Sequence, residues 1–176
     1  MALPEYVQIT QGTAVVWGES GGSGVTATLS LNNLASGSAR MGAAVDLGEN
    51  WEDEYTAILA IETGTAPTAG LTYEAYLGFS HDNTNWPAKI TGSDAAYTLG
   101  TSDANLRQAG VPAVSLMVTN DGNTVLVQAG NIIRPRGRYV APIVDNNSGQ
   151  ATRNQATASN NLSRLYLIPR RLVIND

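Results

Sequence analysis

A chain of 176 residues with a net charge of −5 can bury about 70% of the surface its unfolded form exposes, so one domain needs no metal or disulfide staple. The absence of cysteine and the single histidine, His81, exclude thiol catalysis, zinc–thiolate sites and disulfides together, and argue against a Ser-His-Asp triad or a multi-histidine metal site. No run approaches the roughly 18 apolar residues of a membrane helix, and Met1–Glu5 lacks the regions of a signal peptide, so a soluble product with no visible export signal is expected.

Residues 1–24 place Val7, Ile9, Val15, Val16 and Trp17 among polar residues and then run through Gly18-Glu19-Ser20-Gly21-Gly22-Ser23-Gly24, a flexible linker by composition. This reads as an extended N-terminal arm with a glycine hinge that reaches a neighbouring subunit, or else as a first strand and a loose loop. The remainder, 25–176, reads as one β-sandwich domain. Val25, Ala27, Leu29 and Leu31 alternate with polar residues, which predicts a half-buried strand. A second alternating segment follows over Arg40–Leu47. Tyr55–Ile61 is apolar on both faces and belongs in the centre of a packed sheet. Tyr73, Ala75, Leu77 and Phe79 line one face of the next strand, closed by turn-forming Asp82, Asn83 and Asn85. Asp103–Gln108 is the best helical turn, with Ser102 or Asp103 as cap and Gly110 as stop. Val111–Thr119 and Thr124–Gln128 flank Asp121-Gly122, which predicts a hairpin with Val118 facing Val125 and Leu116 facing Val127.

Tyr139–Val144 is a short apolar run bounded by Gly137 and by Asp145, Asn146, Asn147 and Gly149, the mark of a buried strand. Pro142 cannot donate to a ladder, which predicts an edge position or a bulge. Ala151–Ser163 reads as a long polar loop, and Leu165–Ile174 as a last strand interrupted by Pro169. Short strands separated by Gly, Asn and Pro turns give an all-β fold, an antiparallel β-sandwich with the jelly roll as one form of it.

Charge is unevenly distributed. Residues 1–129 hold 3 basic and 13 acidic side chains, and residues 130–176 hold 7 and 2. Such a split suits contacts between neighbouring copies or with an acidic partner, and equally suits pairing within one fold. Arg134, Arg136 and Arg138 stand at alternate positions, so an extended backbone puts them on one face, a candidate contact surface. Arginine pairs with carboxylates in a planar, two-bonded fashion and is enriched in protein contacts. With one lysine and an acidic remainder, direct nucleic-acid binding is not expected.

Chemistry-bearing patterns are sparse. Glu49, Glu52, Asp53 and Glu54 sit beside Trp51 and Tyr55, and paired carboxylates near a stacking aromatic are what glycoside cleavage uses. The plainer reading is a solvated charged loop. Asp82, Asn83 and Asn85 lack the spaced acids of a calcium loop, and His81 has no placed partner. Gly18–Gly24 lacks the Gly-Lys-Ser/Thr ending of a phosphate loop. No catalytic, cofactor-binding or metal residue is assigned.

Several segments nevertheless look like a known group. Asp46-Leu47-Gly48, Gly64-Thr65-Ala66-Pro67-Thr68-Ala69-Gly70, Tyr76-Leu77-Gly78-Phe79-Ser80, Gly92-Ser93-Asp94-Ala95-Ala96-Tyr97 and the run Arg138–Ala151 resemble small β-sandwich virion proteins of tailed bacteriophages, over about residues 40–151. The resemblance implies a non-enzymatic structural protein, a capsid decoration (cement) protein at the capsid surface. It would bind across major capsid protein subunits and stabilise the head, as a homo-oligomer with a trimer ahead of a dimer. The alternative it leaves is a receptor- or carbohydrate-binding module of a tail or head fibre, using Trp51, Trp86 and nearby tyrosines. The residues expected to carry partner contacts are Arg134, Arg136, Arg138, Trp17 and Val15.

Overall fold

The computed structural model describes residues 6–154 and 162–175, with side chains over 11–154 and 162–171. Its strands in chain order are β1 (Tyr6–Gln11), β2 (Val15–Gly18), β3 (Ala27–Thr28), β4 (Ser38–Met41), β5 (Val45–Asp46), β6 (Glu54–Glu62), β7 (Thr72–Ser80), β8 (Ala95–Tyr97), β9 (Val114–Met117), β10 (Val125–Ile133), β11 (Tyr139–Asn147) and β12 (Arg164–Asn175), with one helical turn, α1 (Ala104–Arg107), between β8 and β9. They form two sheets. The first runs β10-β6-β12-β2-β3, with β1 continuing beyond β2 along β12; the second runs β8-β4-β11-β7-β9, with β5 also on β11. All pairings are antiparallel except β2 with β3. The fold is an all-β sandwich.

Alternation along the strands explains the packing, because successive side chains point to opposite faces. Tyr55, Ala57, Leu59 and Ile61 of β6 and Leu165 and Leu167 of β12 meet Tyr73, Ala75 and Leu77 of β7 and Val140 and Val144 of β11 in one core between the sheets. The opposite face of the second sheet is buried too. Met41, Tyr76, Ala141 and Ile143 pack under Ile90, Tyr97 and Leu106, contributed by the excursion between β7 and β9. Gly78 permits this covering, since a Cβ there would run into the Ile90 side chain.

Some sequence expectations hold. Tyr55–Ile61 lies between two neighbours, and the helical turn ends at Gly110, whose φ of 98° suits a stop. Three do not. The expected hairpin is absent: β9 pairs with β7 in the second sheet and β10 with β6 in the first, so the chain crosses between layers at Asp121-Gly122. Both partners are nine-residue strands with buried faces, and they win the ladders over a local turn.

Pro142 sits at no edge, because β11 lies between β7 on one side and β4 and β5 on the other. Its carbonyl accepts from Gly42 N–H at 2.9 Å, and in an antiparallel ladder a residue's N and O point the same way. The missing donor therefore faces the gap where β4 has ended and β5 has not begun. There Ala43 and Ala44 donate their N–H groups to Thr28 and Gly92 instead. Pro169 likewise does not interrupt β12.

The boundary at residue 24 also changes. Trp17 is 0% exposed and donates its Nε1–H to Ala43 O at 2.8 Å, so β2 is part of the sandwich and not of a detached arm. Residues 25–31 keep the predicted alternation of burial, yet only Ala27–Thr28 forms a ladder. The loop expected over 151–163 and the arm's first five residues lie partly or wholly outside the described residues.

Candidate interaction surfaces

One end of the sandwich brings the acidic loop before β6 against the connector from β10 to β11. Arg138 grips Asp46 through two bonds of 2.7 Å, lies 3.7 Å from Glu49 and stacks over the Tyr139 ring at 5.4 Å. Arg134 donates to Glu54 at 2.8 Å, Arg170 lies 3.5 Å from the same carboxylate, and Arg171 lies 3.9 Å from Glu52. Elsewhere Arg153 pairs with Glu62, so five of the seven C-terminal arginines meet acids of the first 129 residues. Of the two readings of the charge split, these contacts are the one within a single fold. The hydrogen bonds from Arg138 hold the Asp46 carboxyl below its usual range, helped by Gly48 N–H, and the same contact raises the guanidinium.

Residues 136–138 form a bend and the strand has ended before Arg134, so alternation does not place the three arginines on one face. Arg134 and Arg138 instead reach different acids, while Arg136 is exposed and makes no ion pair among the described residues. A groove of about 570 Å³ runs between Trp51, Glu52, Asp53, Glu54, Arg134, Pro135, Arg170 and Arg171. Trp86 is not part of it. That indole donates to Asn83 O at 3.2 Å and packs against the layer covering the second sheet.

The remaining expected residues fall as follows. Val15 is half-buried against the core, and Trp17, enclosed in that core, has no surface to offer a partner, which corrects the reading of Trp17 as a contact residue. Asp82 spends its oxygens on the turn, accepting from Thr84 N–H at 2.9 Å, Asn85 N–H at 2.8 Å and Asn85 Nδ2 at 2.6 Å. Those backbone donors depress its pKa strongly.

The surface that sequence reasoning missed is the outer face of the first sheet. Register aligns Ala129, Ile58, Tyr166 and Val16 in one row across β10, β6, β12 and β2, beside Val127 with Ala60 in the next row and Ile168 beyond. Core residues occupy the other parity of these strands, and no described residue forms a buried cluster over this face. At its margin lies the edge strand β10, with no charged residue from Gly122 to Ile133 and with Val127 64% exposed. The signal was present in the two-sided apolar pattern of Tyr55–Ile61, which marks both a central strand and a strand whose second face awaits a covering. No family model, curated protein or solved structure matches this chain.

Proposed function

We propose that the chain is a non-enzymatic structural protein of a tailed-phage particle, a decoration (cement) protein that binds across major capsid protein subunits on the head surface. The observation that carries this reading is the apolar outer face of the first sheet, around half-buried Ile58, Tyr166 and Ile168, over which no described residue forms a buried cluster. Contiguous apolar area of this kind is used for protein contact, whereas six of the ten basic side chains are already paired internally. A sandwich of this sort adds contact area over junctions between coat subunits, and many weak copies acting together resist outward pressure.

The test is to add the purified chain to expanded empty heads and image them with and without it. Saturable density at fixed positions on the head is expected, lost with Ile58→Lys, which places a charge in the face; circular dichroism checks that the variant folds. Heads that stay bare, with the chain found on the tail, would overturn the reading.

A second reading has its own observation. The groove holding Trp51 between carboxylates and guanidiniums offers a stacking ring and planar hydrogen-bonding groups of the type that hold a sugar. A receptor- or carbohydrate-binding module would show selective glycan-array binding, lost with Trp51→Ala and indifferent to Ile58→Lys.

A further inference from the structure

One basic side chain on the outer face of the first sheet meets no counter-charge among the described residues. Six of the ten basic residues are paired. Of the other four, Lys89, Arg107 and Arg136 are exposed, and Arg164 alone is half-buried. Its Nε is enclosed without an acceptor, and no described residue gives its guanidinium a hydrogen bond or an ion pair. Taking a charge out of water without a partner is costly, so such a group marks a contact that the single chain leaves incomplete.

Arg164 pairs with Ala60 of β6 and, by the alternation of β12, shares a face with Tyr166 and Ile168. Its charge therefore stands at the margin of the half-buried apolar patch. On the side of β2 the glycine-rich run packs along it: a Cβ at Gly18 would lie 3.4 Å from Arg164 Cγ, and one at Gly22 3.9 Å from Arg164 Nη2. The one acid of that run, Glu19, spends both carboxylate oxygens on the Ser30 hydroxyl, at 2.8 and 2.9 Å. Residues 155–161 hold no acid. The far end of β12, where Asn175 pairs with Tyr6, is about 36 Å along the strand from Arg164. A second copy laid on this face offers Glu54 and Glu62, and arginines already hold both.

We propose that the partner seated on the outer face of the first sheet is an apolar strip carrying one carboxylate, which accepts from Arg164 while the strip covers Ile58, Tyr166 and Ile168. This contact rests on the coat-protein reading and adds to it the chemistry that a coat subunit must present. A guanidinium offers a carboxylate two parallel N–H donors, so the pair fixes the direction in which the strip lies. Enclosed by apolar groups, it is screened little by salt. A surface with a lysine or arginine at that place is rejected, because it would set two like charges together out of water.

Arg164→Met keeps the apolar stem and removes the charge. Without heads its urea midpoint should equal or exceed the parent's, since the free chain loses only an unpaired charge. On expanded empty heads the same variant should bind at least about thirtyfold more weakly, because the partner's carboxylate is left enclosed and unpaired. Cross-linking then finds that carboxylate. Lys89 is the one lysine, so Lys89→Arg combined with Arg164→Lys carries its single lysine on the face. A carbodiimide should join that amine to an Asp or Glu of the coat protein through an amide, at least about tenfold more than when the single lysine is the exposed Arg136→Lys, because coupling needs contact. A methionine variant that binds heads like the parent, or a cross-link no stronger at 164 than at 136, would overturn the proposal and leave the coat-protein reading standing. A lowered midpoint for Arg164→Met would overturn it as well, by showing that the chain already partners this group. Parent chain that leaves the heads bare would end both readings.

Discussion

The outer faces of the two sheets are written in the same alternating code and end in opposite states. On the second sheet, Tyr76, Ala141 and Ile143 lie beneath Ile90, Tyr97 and Leu106, and Tyr97 fixes the layer by donating its hydroxyl to Ala88 O at 2.5 Å. On the first sheet, Ile58, Tyr166, Ile168 and Val16 are half-buried, and no described residue forms a buried cluster over them. The difference lies in the connections. Between β7 and β9 the chain spends more than thirty residues folding back over its own sheet, while no described segment does so for the first. Apolar area that a fold does not cover with its own chain is left for another molecule, and that contrast supports the reading of this chain as an assembly component.

The sharpest way to break the contrast is to truncate matching residues. Ile143→Ala should cost about 2–5 kcal/mol, since a fully enclosed aliphatic group leaves a cavity. Ile168→Ala should cost less, because a half-buried site leaves no enclosed cavity. Urea unfolding of the two variants measures both. Equal losses would mean that the first sheet's outer face is covered as well.

The covered face also carries a buried carboxylate. Asp145 is 2% exposed, its Oδ1 has no hydrogen-bond partner, and its cross-strand neighbour is Glu74, with Asp103 nearby. Burial first, and then these acids, push its carboxyl up to about 6, against the bond from Asn147. The folded state thus holds a proton that the unfolded state, near 3.9, has released. Stability is greatest below about pH 4, falls as pH rises from about 4 to 6, and then levels, by up to about 3 kcal/mol from this group alone. Asp145→Asn should flatten that slope in thermal melts across the window and raise the midpoint at pH 7. A parent whose stability rises over the same range would show that this carboxyl is not the controlling group.

How far the sequence reveals this arrangement depends on whether the deciding contact is local. The strands Tyr55–Ile61 and Tyr73–Phe79 and the helical turn before Gly110 follow from periodicity and turn chemistry within each segment. The hairpin at Asp121-Gly122 fails because two distant nine-residue strands claim its arms. Trp17 fails for a related reason: the glycine-rich run beside it reads as a hinge, while the acceptor that fixes the indole lies at Ala43. The arginine stripe fails because spacing alone cannot show that Arg136, Gly137 and Arg138 fall in a bend.

Pro142 is the most instructive of these, since its place in a central strand depends on a gap three residues long in the neighbouring strand. Gly42 closes that gap against the proline ring, and a Cβ there would stand 2.8 Å from Pro142 Cγ and 3.1 Å from Leu29 Cβ. Gly42→Ala should cost about 1–3 kcal/mol by overpacking, seen as a lower urea midpoint. Pairing it with Pro142→Ala should recover part of the loss, because the two effects share one contact.

The smallest effect should come from the charged end, and salt separates it from the apolar face. Arg134 and Arg138 already face Glu54 and Asp46 at the surface, where ion pairs contribute little to stability, so Arg134→Ala should leave the thermal midpoint within measurement scatter. Association is the more informative readout. At about 1 M salt the screening length shortens to about 3 Å, which weakens contacts made through exposed arginines and leaves apolar burial intact. Binding to heads through Ile58, Tyr166 and Ile168 should survive that salt. Binding that disappears would move the contact to the arginine-lined groove and reverse the roles assigned to the two ends of the first sheet.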